Sequence, residues 1–241
     1  MSTRSHAGRA RLLTALATAF ATAALALTAT RADAQTKKRA PARKTAAAAA
    51  APRRFVLAAD GNEGRYRVRE RLMGHDLDND AIGTTKEITG RLFVDAQGRV
   101  VRDSSRIVVT LTNLTSDQAR RDGFVKRRTL QVDSFPTATL VPTEFRGGTG
   151  TLPTSGTATF ELLADLTVRG VTRPTVWKVT ARAEGGAVTG TATTAFTFKD
   201  FSLDQPRVPV LLSVADTITL EYDFRFVPET APAIAAPGQG R

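Results

Sequence analysis

The sequence predicts an all-β domain of about eight antiparallel strands with one short helical insertion. Three features of the chain point there. Apolar residues recur at every second position in run after run. Turn-forming clusters of Gly, Asp, Asn and Pro separate the runs. A single long polar interlude, residues 116–130, lacks the two-residue period. A length of 241 residues with 41% hydrophobic content supports one such domain with a core of its own.

The first run covers residues 65–72. Tyr66, Val68 and Leu72 face one way, Arg65, Arg67, Arg69 and Arg71 the other, and Glu70 shares the apolar side. Ile88, Gly90, Leu92 and Val94 form the next run, which turns at Asp95-Ala96-Gln97-Gly98. Ile107, Val109 and Leu111 follow. In the interlude, Thr115 or Ser116 is placed to cap a short helix. Strands resume at residues 137–145, with Leu140 inward, and at 157–168, with Phe160 and Leu162 inward. Residues 175–183 turn Trp177 and Val179 inward, with Ala181 and Ala183 leaving space beside the indole. Residues 187–198 carry Phe196. In the last run, residues 216–227, Leu220, Tyr222 and Phe224 alternate with Glu221, Asp223 and Arg225. Eight such strands make a sandwich or a closed barrel. A barrel of that size encloses room for one small ligand. The large inward residues either fill that lumen or line it around an elongated apolar guest.

The ends of the chain are different in kind. Residues 1–54 hold eleven Lys and Arg against one acid, Asp33, whereas residues 55–241 hold twenty-three against twenty-two. All but one unit of the formal charge of +11 therefore belongs to the N-terminal segment, and a nucleic-acid partner is not expected for the nearly neutral body. Arg4, Arg9 and Arg11, an apolar stretch over residues 12–27 and Ala32-Asp33-Ala34 form a secretory signal, with cleavage expected before Gln35. Residues 35–54 are a basic, Ala- and Pro-rich linker. It is read as a solvated tether, with weak attraction to an anionic membrane surface as the alternative. Residues 55–227 are the folded domain, and residues 228–241 a tail without core-forming residues. A periplasmic or secreted location follows from the signal.

Little in the sequence points to catalysis or to a cofactor. The absence of Cys removes thiol chemistry, disulfides and thiolate metal sites. Of two His, one lies in the leader; the other, His75, stands beside the acidic stretch Asp76-Leu77-Asp78-Asn79-Asp80. With Glu87 that stretch echoes a calcium-binding loop, but Ala81 occupies the position that needs Gly, so a solvated acidic loop is expected rather than a metal site. No Gly-x-Ser-x-Gly elbow or phosphate-cradling Gly motif occurs. No catalytic residue is assigned.

Three motifs carry a resemblance. Arg121-Asp122-Gly123-Phe124 precedes Leu130 and the step Phe135-Pro136-Thr137-Ala138-Thr139-Leu140. Ala164-Asp165-Leu166-Thr167-Val168-Arg169-Gly170-Val171-Thr172-Arg173-Pro174 reads as a hairpin. Phe198-Lys199-Asp200-Phe201 precedes Val214-Ala215-Asp216 and the last strand. In order and spacing these resemble the YceI-like family over roughly residues 55–227. The resemblance implies a secreted, lipocalin-like, eight-stranded barrel that holds a polyisoprenoid or another amphiphilic lipid without acting as an enzyme. Under that reading the lumen is lined by Tyr66, Val68, Glu70 and Leu72, by Leu92 and Leu140, by Phe160, Leu162, Trp177 and Val179, and by Phe196, Leu220, Tyr222 and Phe224. A filled barrel serving as a structural or protein-interaction module is the alternative, and a lipid-acting enzyme a more distant one. Physically, Gly170 suits a tight reversal and Asp122 suits local backbone N–H groups, while Arg121 needs a carboxylate. Glu70 stands where the family often has His, Ala164 where it has Gly, and Leu140 where it has an aromatic residue. An inward Glu70 needs a cationic partner or the polar head of a guest.

Overall fold

Residues 51–74 and 76–230 are described by a computed structural model. The signal, residues 35–50 of the linker, His75 and residues 231–241 of the tail lie outside the described residues.

Period-two patterning becomes strand at each place where it occurs. The strands are β1 (Arg53–Leu57), β2 (Glu63–Leu72), β3 (Asn79–Thr85), β4 (Ile88–Val94), β5 (Arg106–Thr110) and β6 (Thr115–Ser116). After the helix α1 (Ala119–Phe124) come β7 (Thr137–Arg146), β8 (Gly156–Val168), β9 (Val171–Glu184), β10 (Ala187–Thr197) and β11 (Leu211–Pro228). All pairings are antiparallel. Hydrogen bonding runs β1–β4–β5–β7–β8–β9–β10–β11 and returns from β11 to β1, which closes an eight-stranded barrel. β11 is 18 residues long and serves two neighbours. Its last residues pair with β1 (Leu57 with Phe226), and its earlier part pairs with β2 (Tyr66 with Leu220). From β2 the sheet continues through β3 to β6 and extends the wall at one end.

The eight strands of the barrel are not the eight read from the sequence. β2 belongs to the extension, and β1 takes its place in the ring. β1 escaped because it begins inside the basic segment, at Arg53. That guanidinium donates to the Leu152 and Pro153 carbonyls at 2.8 and 3.1 Å, and Arg54 lies 5.0 Å over the Phe93 ring. β3 was hidden in the acidic stretch, where Asp78 and Asp80 pair with Arg69, and Asp80 also with Arg67. β6 has two residues, too few for any period.

The polar interlude forms α1 and then a wider π-type turn, Val125–Leu130. Neither Thr115 nor Ser116 caps it; the N-cap is Gln118, without a side-chain bond. The fixing contact runs the other way. Asp122 Oδ1 accepts from the Ser116 N–H at 2.8 Å and from its hydroxyl at 2.6 Å. Between β8 and β9 the chain reverses in two residues, Arg169 and Gly170, with φ of 47° and 74°. This is the left-handed pair that a two-residue hairpin requires.

The core is solid at one end of the barrel. Phe145 meets Phe160 edge-on at 5.3 Å, and Phe224 meets Phe226 at 5.8 Å, over Phe55, Leu92, Val94 and Val188. Small residues here are spaces already taken. A β-carbon on Gly190 would stand 2.8 Å from Phe224 Cζ and 2.9 Å from Ala181 Cα. Ala181, fully buried, therefore faces Phe224 and not an open channel.

Candidate functional site

The other end of the barrel is hollow. A cavity of about 1150 Å³ runs between β2, β5, β7, β8 and β11, with Phe124, Val125, Thr129 and Leu130 of the helical segment against it. The volume is at the upper end of small-molecule sites and suits a long guest. Its walls are built by alternation: Tyr66, Val68 and Leu72 from β2, Ile107 and Val109 from β5, Ala138 and Leu140 from β7, Leu166 and Val168 from β8, and Ile218, Leu220 and Tyr222 from β11. Trp177 of β9 and Phe196 of β10 complete the ring. Met73, Leu77 and Val210 stand exposed at the mouth.

Of the fourteen residues expected to line a lumen, nine do so: Tyr66, Val68, Glu70, Leu72, Leu140, Trp177, Phe196, Leu220 and Tyr222. Leu92, Phe160, Leu162, Val179 and Phe224 do not; Leu92, Phe160, Val179 and Phe224 pack in the core, and Leu162, half-buried, packs against it. Alternation assigns a residue to a face of the sheet but not to a height along the barrel, and the Phe-rich end is filled. The helical contributions and the stretch around Leu203, Val208 and Leu211 gave no period. Their only signal was an apolar residue in a polar segment.

One ionic cluster interrupts the apolar wall. Glu70 is 6% exposed, and its Oε1 accepts from Arg121 Nη2 at 2.7 Å and more weakly from Asn79 Nδ2 at 3.4 Å. Arg121 also donates to Asp117. Burial pulls the Arg121 guanidinium down, but Glu70 and Asp117 outweigh it and hold the group above its usual value. The two residues that each needed a partner thus satisfy one another, one from a strand and one from the helix. Nearby, burial pushes the Tyr66 phenol up to about 12, opposed by the Arg121 charge.

Polar atoms deeper in the wall differ in their fate. Trp177 Nε1 donates to Thr175 Oγ1 at 2.9 Å, and that hydroxyl donates to the Ala164 carbonyl at 2.9 Å. The Tyr222 hydroxyl is buried without a partner, and desolvation pushes its pKa far up. Among the described residues, no three His, Asp or Glu side chains group as metal ligands, and no helix is long and apolar enough to cross a membrane.

The model of the YceI-like domain matches residues 60–226. A polyisoprenoid binding domain from Saccharophagus degradans, implicated in plant cell wall breakdown, is similar with a TM-score of 0.57 and 12% identity, over 73% of this chain and 98% of its own. BcnA of Burkholderia cenocepacia gives 0.51 and 14%, over 68% and 95%. A mutant of the Campylobacter jejuni YCEI protein gives 0.50 and 13%, over 62% and 85%. At such identities the likeness is one of fold. No curated protein sequence matches the chain. The family match takes in seven of the eight barrel strands, beginning just after β1 and ending at Phe226 near the end of β11, and on it the chain belongs to the YceI-like domain family.

Proposed function

We propose that this chain is a non-enzymatic binding protein that holds an amphiphilic, isoprenoid-type lipid in its barrel. The observation that carries this reading is the cavity of about 1150 Å³, apolar on most of its wall and open at one end. Each methylene moved from water into such a wall gains about 0.8 kcal/mol, so several isoprene units outweigh the ordering of a flexible tail. The Glu70–Arg121 pair gives the wall a polar point. The likeness to the polyisoprenoid binding domain of Saccharophagus degradans supports the same ligand class.

The leader supports a further part of the reading: the protein works after export, in the periplasm or outside the cell, with a mature end at Gln35. The basic linker then serves as a solvated tether, with weak, salt-sensitive contact to anionic lipid as the alternative. N-terminal sequencing of the exported protein checks the first; a product beginning at Met1 contradicts it.

Trp177, the one Trp of the chain, lines the cavity and reports on its contents. Titration with geranylgeraniol is expected to change its fluorescence saturably, at one lipid per chain. A signal that never saturates, or none at all, contradicts the reading.

A further inference from the structure

The arginines of the strands divide into two groups. Those of β2, β7, β9 and β11 all have acceptors. Arg65, Arg67, Arg69, Arg146, Arg182 and Arg225 each pair with a carboxylate. Arg71 and Arg173 donate to backbone carbonyls, as Arg53 of β1 does. Arg54, Arg91 and Arg106, on β1, β4 and β5, are the exceptions. All three are exposed, and among the described residues none meets a carboxylate or any other oxygen acceptor. Arg54 lies over the Phe93 ring, which leaves its N–H groups unbonded.

These three cations share one patch on the outside of the barrel. Their inward neighbours Phe55, Leu92 and Ile107 are buried. Arg91 stands directly opposite Arg106 across the ladder, and Arg54 is diagonal to Arg91, since Arg54 pairs with Phe93 and Val56 with Arg91. Like charges directly opposite weaken a sheet, and diagonal neighbours are only about 7–8 Å apart. The fold sets three cations at this spacing and supplies no counter-charge. Of the acids on the flanking turns and strands, Asp95 and Asp165 are bonded to Arg99 and Arg102, and Asp103 and Glu229 do not reach the patch. Half-buried Val56, Phe93 and Val108 lie on the same face. The basic linker runs directly into β1 beside it, and Lys37, Lys38, Arg39, Arg43 and Lys44 carry charge of the same sign.

We propose that this outer face of β1, β4 and β5 is a docking surface for an anionic lipid bilayer, whose headgroup phosphates accept from the three guanidinium groups. Charge complementarity carries the choice. The guanidinium fork matches phosphate oxygens, and no acid on this face opposes them. The arginine stems and the apolar side chains among them suit the boundary between headgroups and acyl chains. The face lies over the packed half, outside Phe55 and Leu92, so docking leaves the mouth at Met73, Leu77 and Val210 uncovered. The inference does not depend on what the cavity holds.

The test is cosedimentation of the full-length mature protein with vesicles of phosphatidylglycerol mixed with phosphatidylcholine, and with phosphatidylcholine alone. The parent is expected to bind the anionic vesicles only, and less as salt rises. Arg54→Gln, Arg91→Gln and Arg106→Gln combined are expected to weaken binding about a hundredfold, about fivefold for each cation taken from an anionic surface. Arg69→Gln, Arg146→Gln and Arg182→Gln combined remove the same charge from paired sites and are expected to leave docking close to that of the parent. Arg106→Glu alone gives Arg91 a partner, so it should weaken docking about tenfold or more while raising the melting temperature. That opposition separates docking from damage to the fold. Equal binding by the first triple variant and the parent, equal losses in the two triple variants, or a parent that binds heparin but not the anionic vesicles overturns the proposal. A parent that docks but takes up no geranylgeraniol keeps this inference and loses the cavity reading.

Discussion

At the scale of single residues, the Glu70–Arg121 pair carries most of the electrostatic risk in this protein. Both side chains are nearly out of water, at 7% and 15% exposure, and each depends on the other. Removing one partner strands a charge in an apolar wall. Arg121→Met is expected to cost about 3 kcal/mol or more in denaturant unfolding, whereas Glu70→Leu combined with Arg121→Met recovers most of that loss. Equal stability of the single variant and the parent contradicts the pairing. The need for a partner was legible in the sequence for both residues: an acid on an apolar face, and an Arg opening a polar insertion. That they partner each other was not. They are 51 residues apart, and only the packing of α1 over the end of β2 joins them. The unanswered Tyr222 hydroxyl was likewise beyond reach, since its loneliness depends on Ala192 and Gly64 across the ladder.

At the scale of elements, period two gave the long strands and failed at the short ones. β9 alternates most cleanly because it has one face in the core and one in water, whereas irregularities in register interrupt β7 at Pro142–Glu144 and the first half of β11. β1, β3 and β6 carry too few residues, or too many charges, to display a face. The charges on β2, β3 and β11 have their own logic. Arg65 and Arg67 project outward and hold Glu221 between them, with Glu63, Asp80 and Asp223 extending the ladder. Hydrogen bonding from Arg67, helped by Arg65 and opposed by partial burial, holds the Glu221 carboxyl below its ordinary value. A carboxyl that is a stronger acid in the folded state stabilises the fold above its unfolded pKa, about 4.3, and that stabilisation is lost as pH falls through the folded value. Glu221→Gln is therefore expected to flatten the fall of melting temperature between pH 7 and pH 3. An identical acid limb in the variant rules out this role for Glu221.

At the scale of the whole molecule, the barrel is divided into a packed half and a hollow half. The packed half holds Phe55, Phe145, Phe160, Phe224 and Phe226 and gives the barrel a core; the hollow half is lined mostly by aliphatic residues, with Tyr66, Phe124, Trp177, Phe196, Phe198 and Tyr222 among them. Added bulk should act differently in the two. Ala181→Phe intrudes where Phe224 and Gly190 already meet, and should cost about 1–3 kcal/mol or more. Ala138→Phe projects into open space, and should leave stability within about 1 kcal/mol while reducing lipid capacity. Equal destabilisation of the two variants would mean that the hollow half closes in solution. The most direct measurement of whether the hollow half holds a lipid is native mass spectrometry on the protein purified from its own host, with organic extraction of what it carries. The expected result is a one-to-one noncovalent adduct that extracts as an amphiphile with an isoprenoid chain. The bare polypeptide mass, with no lipid in the extract and no uptake when isoprenoid lipid is supplied, contradicts it.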